Sequence, residues 1–260
     1  MAEDESGWGK LIDEAVNVAT KYKLLQKLAG LFLNEKSVVL LCGTSGVGKS
    51  QFIRSLQEPV AAPIAAADRT RGWHKVKVTK DKRKLELLDT PGQIGEGALR
   101  RKAHLEALRA KHFGIINVVA NGFHEGTATE PDAIVRVGDA YRAKDKFLTD
   151  SRKLEVQNLT EWSRDLQDAR WLITLVNKAD LWWQPDTCES VLKYYSSTGP
   201  YGMRLKSWEG KHVVLPYAST SKPFYDRVPM SGHFGDARRL ECQVNALRSL
   251  ASLIAQGKSK

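Results

Sequence analysis

A three-layer α/β domain with a six-stranded, mostly parallel sheet is what this sequence predicts, and three observations predict it. Four short apolar runs, SVVLLC (37–42), IINVVA (115–120), WLITLV (171–176) and HVVLPY (212–217), have the length and unbroken hydrophobicity of strands buried on both faces. Helical stretches separate most of them, and that alternation places helices on both faces of a parallel sheet. Segments 73–79 and 84–88 are instead joined through Asp81, Lys82 and Arg83 and read as one hairpin, which completes six strands.

In chain order, 8–33 comes first as an N-terminal helix, with Leu11, Ile12, Ala15, Val18, Ala19, Tyr22 and Leu25 at helical spacing. Its apolar stripe is expected to pack on the core; docking on a membrane surface or a partner is the less favoured reading. Helices follow at 49–57, 98–111, 186–195 and 236–256. The stretch 131–168 is long and heavily charged, so a helical insertion is expected at about 124–169. The expected organisation is a helical extension at 1–36 and one domain at 37–260 that carries the insertion and closes with a C-terminal helix.

Composition removes several classes. An apolar content of 42% over 260 residues is ample for a packed core, which excludes a disordered chain. The longest stretch free of Asp, Glu, Lys and Arg is 112–124, thirteen residues, well short of the ~20 that cross a bilayer. No transmembrane segment is expected. The acidic start, MAEDES, leads into no apolar signal region, so a cytoplasmic location is expected. Cys42, Cys188 and Cys242 are odd in number and far apart, which fits reduced thiols. A net charge of +10 permits an anionic partner without requiring one.

GTSGVGKS at 43–50 matches G-x-x-x-x-G-K-[ST] directly after a buried strand and before a helix. The backbone of Gly43, Thr44, Ser45, Gly46, Val47 and Gly48 is expected to cradle phosphates, with Gln51 following at the helix start. Lys49 is expected to reach the β- and γ-phosphates and the Ser50 hydroxyl to ligate Mg²⁺. Asn177-Lys178-Ala179-Asp180 closes the apolar strand 171–176. A carboxylate there accepts from guanine N1–H and N2–H₂, whereas adenine N1 is an acceptor, so Asp180 selects guanine. Lys178 would lay its stem along the base, and the Asn177 amide would tie this loop to the phosphate loop.

Asp89-Thr90-Pro91-Gly92 ends the hairpin. Asp89 is expected to hold the metal through water, the Gly92 amide to sense a γ-phosphate, and Gln93 to orient the attacking water; an exposed loop glutamine is the plain alternative. Thr70 lies nineteen residues before Asp89 and is the candidate switch threonine, completing the Mg²⁺ shell. Ser219 and Thr220, after strand 212–217, are the expected amide donors to guanine O6. Lys49, Thr70 and Gln93 form the expected catalytic group. Trp182 and Trp183 read as packing, Cys42 as a small buried hydrophobe, and the six histidines show no ligand spacing.

Taken in order, GTSGVGKS, a first-loop threonine, DTPGQ, NKAD and AST resemble the five boxes of Ras-like, Era-like and translation-factor GTPases, over about 37–222. The resemblance implies a P-loop NTPase G domain, Mg²⁺-dependent binding of GTP and GDP, GTP hydrolysis, and partner control through two switch loops. Three departures qualify it. Ser45 stands where several relatives have glycine, which implies slow turnover. The charged stretch after Phe123 exceeds a minimal Ras-like domain. Neither an oligonucleotide-binding barrel nor an RNA-binding domain is expected after the G domain. A bacterial single-domain GTPase of unassigned subfamily is the expectation, with a protein partner at the switch loops or the insertion. The alternative is a nucleotide-sensing scaffold or RNA-associated module with little turnover, for which Arg100, Arg101, Lys102, Arg109 and Lys111 would supply the basic face.

Overall fold

The computed structural model describes residues 37–57, 74–80, 83–90, 97–109 and 112–256. Within them, six strands form one sheet: β1 (Ser37–Cys42), β2 (His74–Lys80), β3 (Arg83–Asp89), β4 (His112–Val119), β7 (Trp171–Val176) and β8 (Lys211–Pro216). The sheet order is β2-β3-β1-β4-β7-β8. Every neighbouring pair is parallel except the hairpin β2–β3 at one edge. This is the expected mostly parallel α/β sheet, with strand bounds shifted by a few residues at most.

Central position explains the apolar runs. Val39, Leu40, Leu41, Leu172 and Val176 are fully buried because helices cover both faces, whereas the edge strand β8 is only half-buried. The covering helices include α1 (Lys49–Gln57), α2 (Gly97–Leu108) and α9 (Asp236–Gln256). The last turns Leu240, Val244, Leu247, Leu250 and Ile254 inward at helical spacing. Charge-free strands still carry a polar seam: Asn117 Nδ2 donates to Tyr201 Oη (2.6 Å), and that hydroxyl meets Thr174 Oγ1 at 3.1 Å. The Asn117 amide nitrogen, the Tyr201 hydroxyl and the Thr174 hydroxyl thereby each find a partner inside the core.

The insertion differs from the expected helical one. It opens with the short α3 (Glu130–Ala133), then an antiparallel ribbon of β5 (Ile134–Val137) and β6 (Ala140–Ala143). Only then come α4 (Asp145–Glu161) and α5 (Ser163–Asp168). The strand count over the described residues is therefore eight, six in the main sheet and two in the ribbon. Asp139 beside Gly138, which has φ +62°, makes the two-residue turn that a uniformly charged helix reading overlooked. After the short α6 (Ala179–Trp182), the expected helix 186–195 corresponds to α7 (Cys188–Lys193), which runs on into a π-helical turn (Tyr194–Thr198) and is followed by α8 (Pro200–Arg204). Pro200 opens α8 at its first position, where the missing N–H would have had no helical partner.

What this topology does for function is simple. All parallel strands point their C-terminal ends the same way, so the loops after β1, β3, β4, β7 and β8 gather along one rim. The N-terminal helix 8–33, Thr70, Gly92 and Gln93 lie outside the described residues.

Candidate functional site

The loop between β1 and α1 depends on its glycines. Gly46 (φ +79°) and Gly48 (φ +94°) hold conformations that a Cβ strains, and a Cβ at 46 would fall 2.1 Å from Glu125 O. A Cβ at 48 would fall 2.5 Å from Asn177 Nδ2, so the loop after β7 approaches the phosphate loop closely at this point. Lys49 is buried, and its Nζ donates to the carbonyls of Gly43 (2.8 Å) and Thr44 (3.1 Å). Burial pulls its pKa down, and the Asp89 carboxylate, followed by Cys42, pushes it part of the way back. Ser50 and Gln51 continue into α1, where Phe52 N donates to Gly48 O (2.8 Å) and closes the first turn.

Asp89 is buried at the end of β3. The next residue, Thr90, anchors that end to β1 through its amide (3.2 Å) and hydroxyl (2.7 Å) on Leu41 O. The structure thus brings Asp89 beside Lys49. Cys42, one residue before the loop, is fully buried, and burial pushes its thiol well up, the state of an inert hydrophobe.

Asn177 joins three loops. Its Nδ2 donates to Val47 O (2.8 Å), and its Oδ1 accepts from Ser219 N (3.1 Å) and Ser219 Oγ (3.2 Å). The Ser219 amide is therefore spent inside the protein, and Thr220 is the next amide along that loop. Gln243 of α9 steadies the same turn, donating to Ala218 O at 2.9 Å. Trp182 also serves the site, donating from Nε1 to Asn177 O (2.8 Å), whereas Trp183 packs on Phe234 and under Arg238.

Asp180 is 2% exposed. Its Oδ2 accepts from Lys222 N (3.3 Å), and its Oδ1 has no hydrogen-bond partner among the described residues. Burial raises its pKa to about 6, against the opposing pull of the Lys222 and own amides and of Lys178. A buried carboxylate oxygen with no partner is costly, of order 1–3 kcal/mol, and is the kind of group a ligand donor satisfies.

Two residues that the motif reading passed over stand at the centre of this rim. Glu125, in the loop after β4, pairs with Lys178 Nζ (3.5 Å) and Lys222 Nζ (3.7 Å), and its amide donates to Gly46 O (3.4 Å). Burial alone would raise Glu125, but the two lysines outweigh it and hold its carboxyl below the usual range. Burial lowers Lys178 in turn, and Glu125 and Asp180 counter it. Lys178 itself sits in the left-handed region (φ +56°), with its Nζ 5.5 Å from the Phe224 ring centre. The second overlooked residue is His124, fully buried against Thr44. The available signal was position: both follow a buried parallel strand at the carboxyl rim, where ligands bind such sheets.

Glu125→Gln is expected to destabilise the fold by about 1–3 kcal/mol, because it leaves Lys178 charged with less to balance it. Urea unfolding checks this, and Glu125→Gln combined with Lys178→Met should recover part of the loss. Unchanged unfolding of the single variant would sink the role given to the pair.

Of the basic residues on α2 and in the turn after it, Arg100 is buried and pairs with Glu161, and Arg109 pairs with Glu106 at 2.9 Å. No described helix is long and apolar enough to cross a membrane.

Comparison with known proteins agrees with the geometry. Residues 38–178 match the model of a family described as 50S ribosome-binding GTPase. No curated protein sequence matches the chain. Among solved structures, the chain is similar to the ADP-ribosylation factor-like GTP-binding protein, small COPII coat GTPase SAR1, of Encephalitozoon cuniculi in complex with GDP. That match has TM-score 0.52 and 16% identity, over 100% of this chain and 97% of the other. A second similar structure is Toc33 of Arabidopsis thaliana in complex with GDP and Mg²⁺, at TM-score 0.48 and 16% identity, over 93% and 96% of the two chains. At such identities the likeness is one of fold.

Proposed function

The chain belongs to the GTPase family described as 50S ribosome-binding GTPase, and from that membership we propose that it is a Mg²⁺-dependent switch that binds GTP and GDP and hydrolyses GTP slowly. The observation that carries this reading is the Asn177 bridge: one side chain links the phosphate loop at Val47 to the loop at Ser219, with the open Asp180 oxygen three residues on. In this reading the phosphate and base readers face one nucleotide from adjoining loops.

In this reading the amides of 43–50, at the start of α1, surround the phosphates, and Lys49 turns from two carbonyls toward the β- and γ-oxygens. Asp180 accepts from guanine N1–H and N2–H₂, Lys178 lies along the base, and the Thr220 amide meets O6. Ser50 and Asp89 are hard oxygen donors at adjoining loop ends and fit Mg²⁺, with Thr70 as the third ligand. Bound there, the metal would neutralise charge between the β- and γ-phosphates. Gln93 orients water, and the Gly92 amide senses the γ-phosphate. Without a partner-supplied group, turnover is expected at roughly one per minute or slower, with Ser45 crowding the transition state. A protein partner is expected at the switch loops or at the insertion, where the ribbon exposes Val137 (52%).

Calorimetric titration with GDP, a non-hydrolysable GTP analogue and ATP, with and without Mg²⁺, together with phosphate release from GTP, tests the proposal. Guanine nucleotides should bind and ATP should not, and removing Mg²⁺ should weaken the triphosphate more than the diphosphate. Equal binding of ATP would refute the role of Asp180. Turnover unaffected by Gln93→Ala would refute that of Gln93.

A further inference from the structure

β4 runs into Ala120-Asn121-Gly122-Phe123-His124, and the left-handed pair Asn121 (φ +48°) and Gly122 (φ +92°) folds His124 back beneath the phosphate loop. His124 Nε2 lies 2.8 Å from Glu155 Oε1, and Nδ1 lies 3.4 Å from Thr44 Oγ1. All three side chains are buried. Glu155 stands on α4, and its carboxylate is fully engaged. Oε1 also accepts from the amides of Ala120 (2.9 Å) and Gly122 (3.4 Å), and Oε2 accepts from the Tyr195 hydroxyl (2.6 Å).

Four hydrogen bonds fix that carboxylate in place, and because it accepts, the proton of the imidazole sits on Nε2 and Nδ1 faces the threonine hydroxyl. Packing alone does not call for such a chain, since apolar residues of similar volume fill a core at least as well. The chain also leads somewhere: the carbonyl of Thr44 is one of the two acceptors of Lys49 Nζ (3.1 Å). At its other end α4 carries Glu161, which pairs with Arg100 of α2, the helix that follows the DTPG segment.

We infer that His124 is a positioning residue for the phosphate loop: held by Glu155, it fixes Thr44, and through the Thr44 carbonyl it sets the resting place of Lys49. The insertion helix α4 thereby governs how the loop meets a nucleoside triphosphate. This rests on the GTPase reading above.

A double-mutant cycle on the full chain tests it, reading the affinity for a fluorescent non-hydrolysable GTP analogue and single-turnover hydrolysis, with thermal melts as the folding control. Thr44→Val and His124→Ala are each expected to weaken affinity about tenfold, the scale of coupling between directly contacting residues. The double variant should be no weaker than the worse single one. Glu155→Gln can keep every hydrogen bond, its amide donating to Tyr195, so it should recover most of what Glu155→Ala loses. If His124→Ala does not fold, His124→Gln replaces it in the cycle with the same two outcomes. Losses that multiply in the double variant, or single variants that bind as the natural chain does, overturn the inference alone. A natural chain that binds no guanine nucleotide overturns the GTPase reading and this inference together.

Discussion

Asp180→Asn is expected to cost the protein its GTP and to transfer its preference to xanthosine triphosphate. The carboxylate accepts two charge-assisted hydrogen bonds in the proposed complex, each contributing about 1.5–3 kcal/mol, so GTP affinity should fall by roughly a hundredfold or more. An amide at 180 turns a donor toward guanine's own N2–H₂ donor. Xanthine has a carbonyl at that carbon, and the amide complements it. Competition binding of GTP against xanthosine triphosphate checks this, and a variant that still prefers GTP would sink the assignment.

The same residue gives the site a pH dependence. In the free protein burial holds its pKa at about 6, and the guanine donors would lower it in the complex. The complex therefore binds fewer protons, so affinity should climb as pH rises to about 6 and level off above it. Asp180→Asn should remove that slope. Stability runs the other way. The folded-state pKa is raised, so the carboxylate costs nothing below the ordinary carboxyl range near 4, and its full cost is present once pH exceeds about 6. The ligand-free variant should melt higher than the natural chain at pH 7 and equal to it near pH 4.

The second large effect is expected from Lys49→Met. In the resting protein this buried ammonium is held by two carbonyls and balanced by Asp89. Methionine has nearly the same volume, but it leaves the buried Asp89 carboxylate and two carbonyls with one partner fewer, so the melting temperature should fall moderately while the fold survives. Catalysis should not survive so well. Removing one preorganised donor from a transition state that spreads negative charge lowers turnover by about 10²–10³, and triphosphate affinity should fall as well. Phosphate-release kinetics at saturating GTP separate the two effects. A variant that turns over at the natural rate would mean that Lys49 does not meet the γ-phosphate.

The placement of the candidate site was legible in the sequence. GTSGVGKS, the Asp of DTPG and NKAD each sit at the end of an apolar strand, and strand ends are where periodicity is easiest to read. The insertion was harder to read. Residues 134–143 form a two-stranded ribbon that buries little, and such a ribbon leaves no apolar alternation to find. Glu125 and His124 were marked only by their position after a buried parallel strand, and Glu155 by nothing local, since none of the three belongs to a motif.

What the sequence by itself determined is the sheet, its buried strands and which strand ends carry the glycine-rich loop and the polar loops, because apolar period and glycine placement act over a few neighbouring residues. Only the tertiary structure decided which distant residues share the cleft: Glu125 between Lys178 and Lys222, Asn177 spanning Val47 and Ser219, and Glu155 reaching Thr44 through His124. Those pairings arise from sheet order and loop packing, which join positions about 30 to 130 residues apart, and no local pattern encodes a contact at that separation.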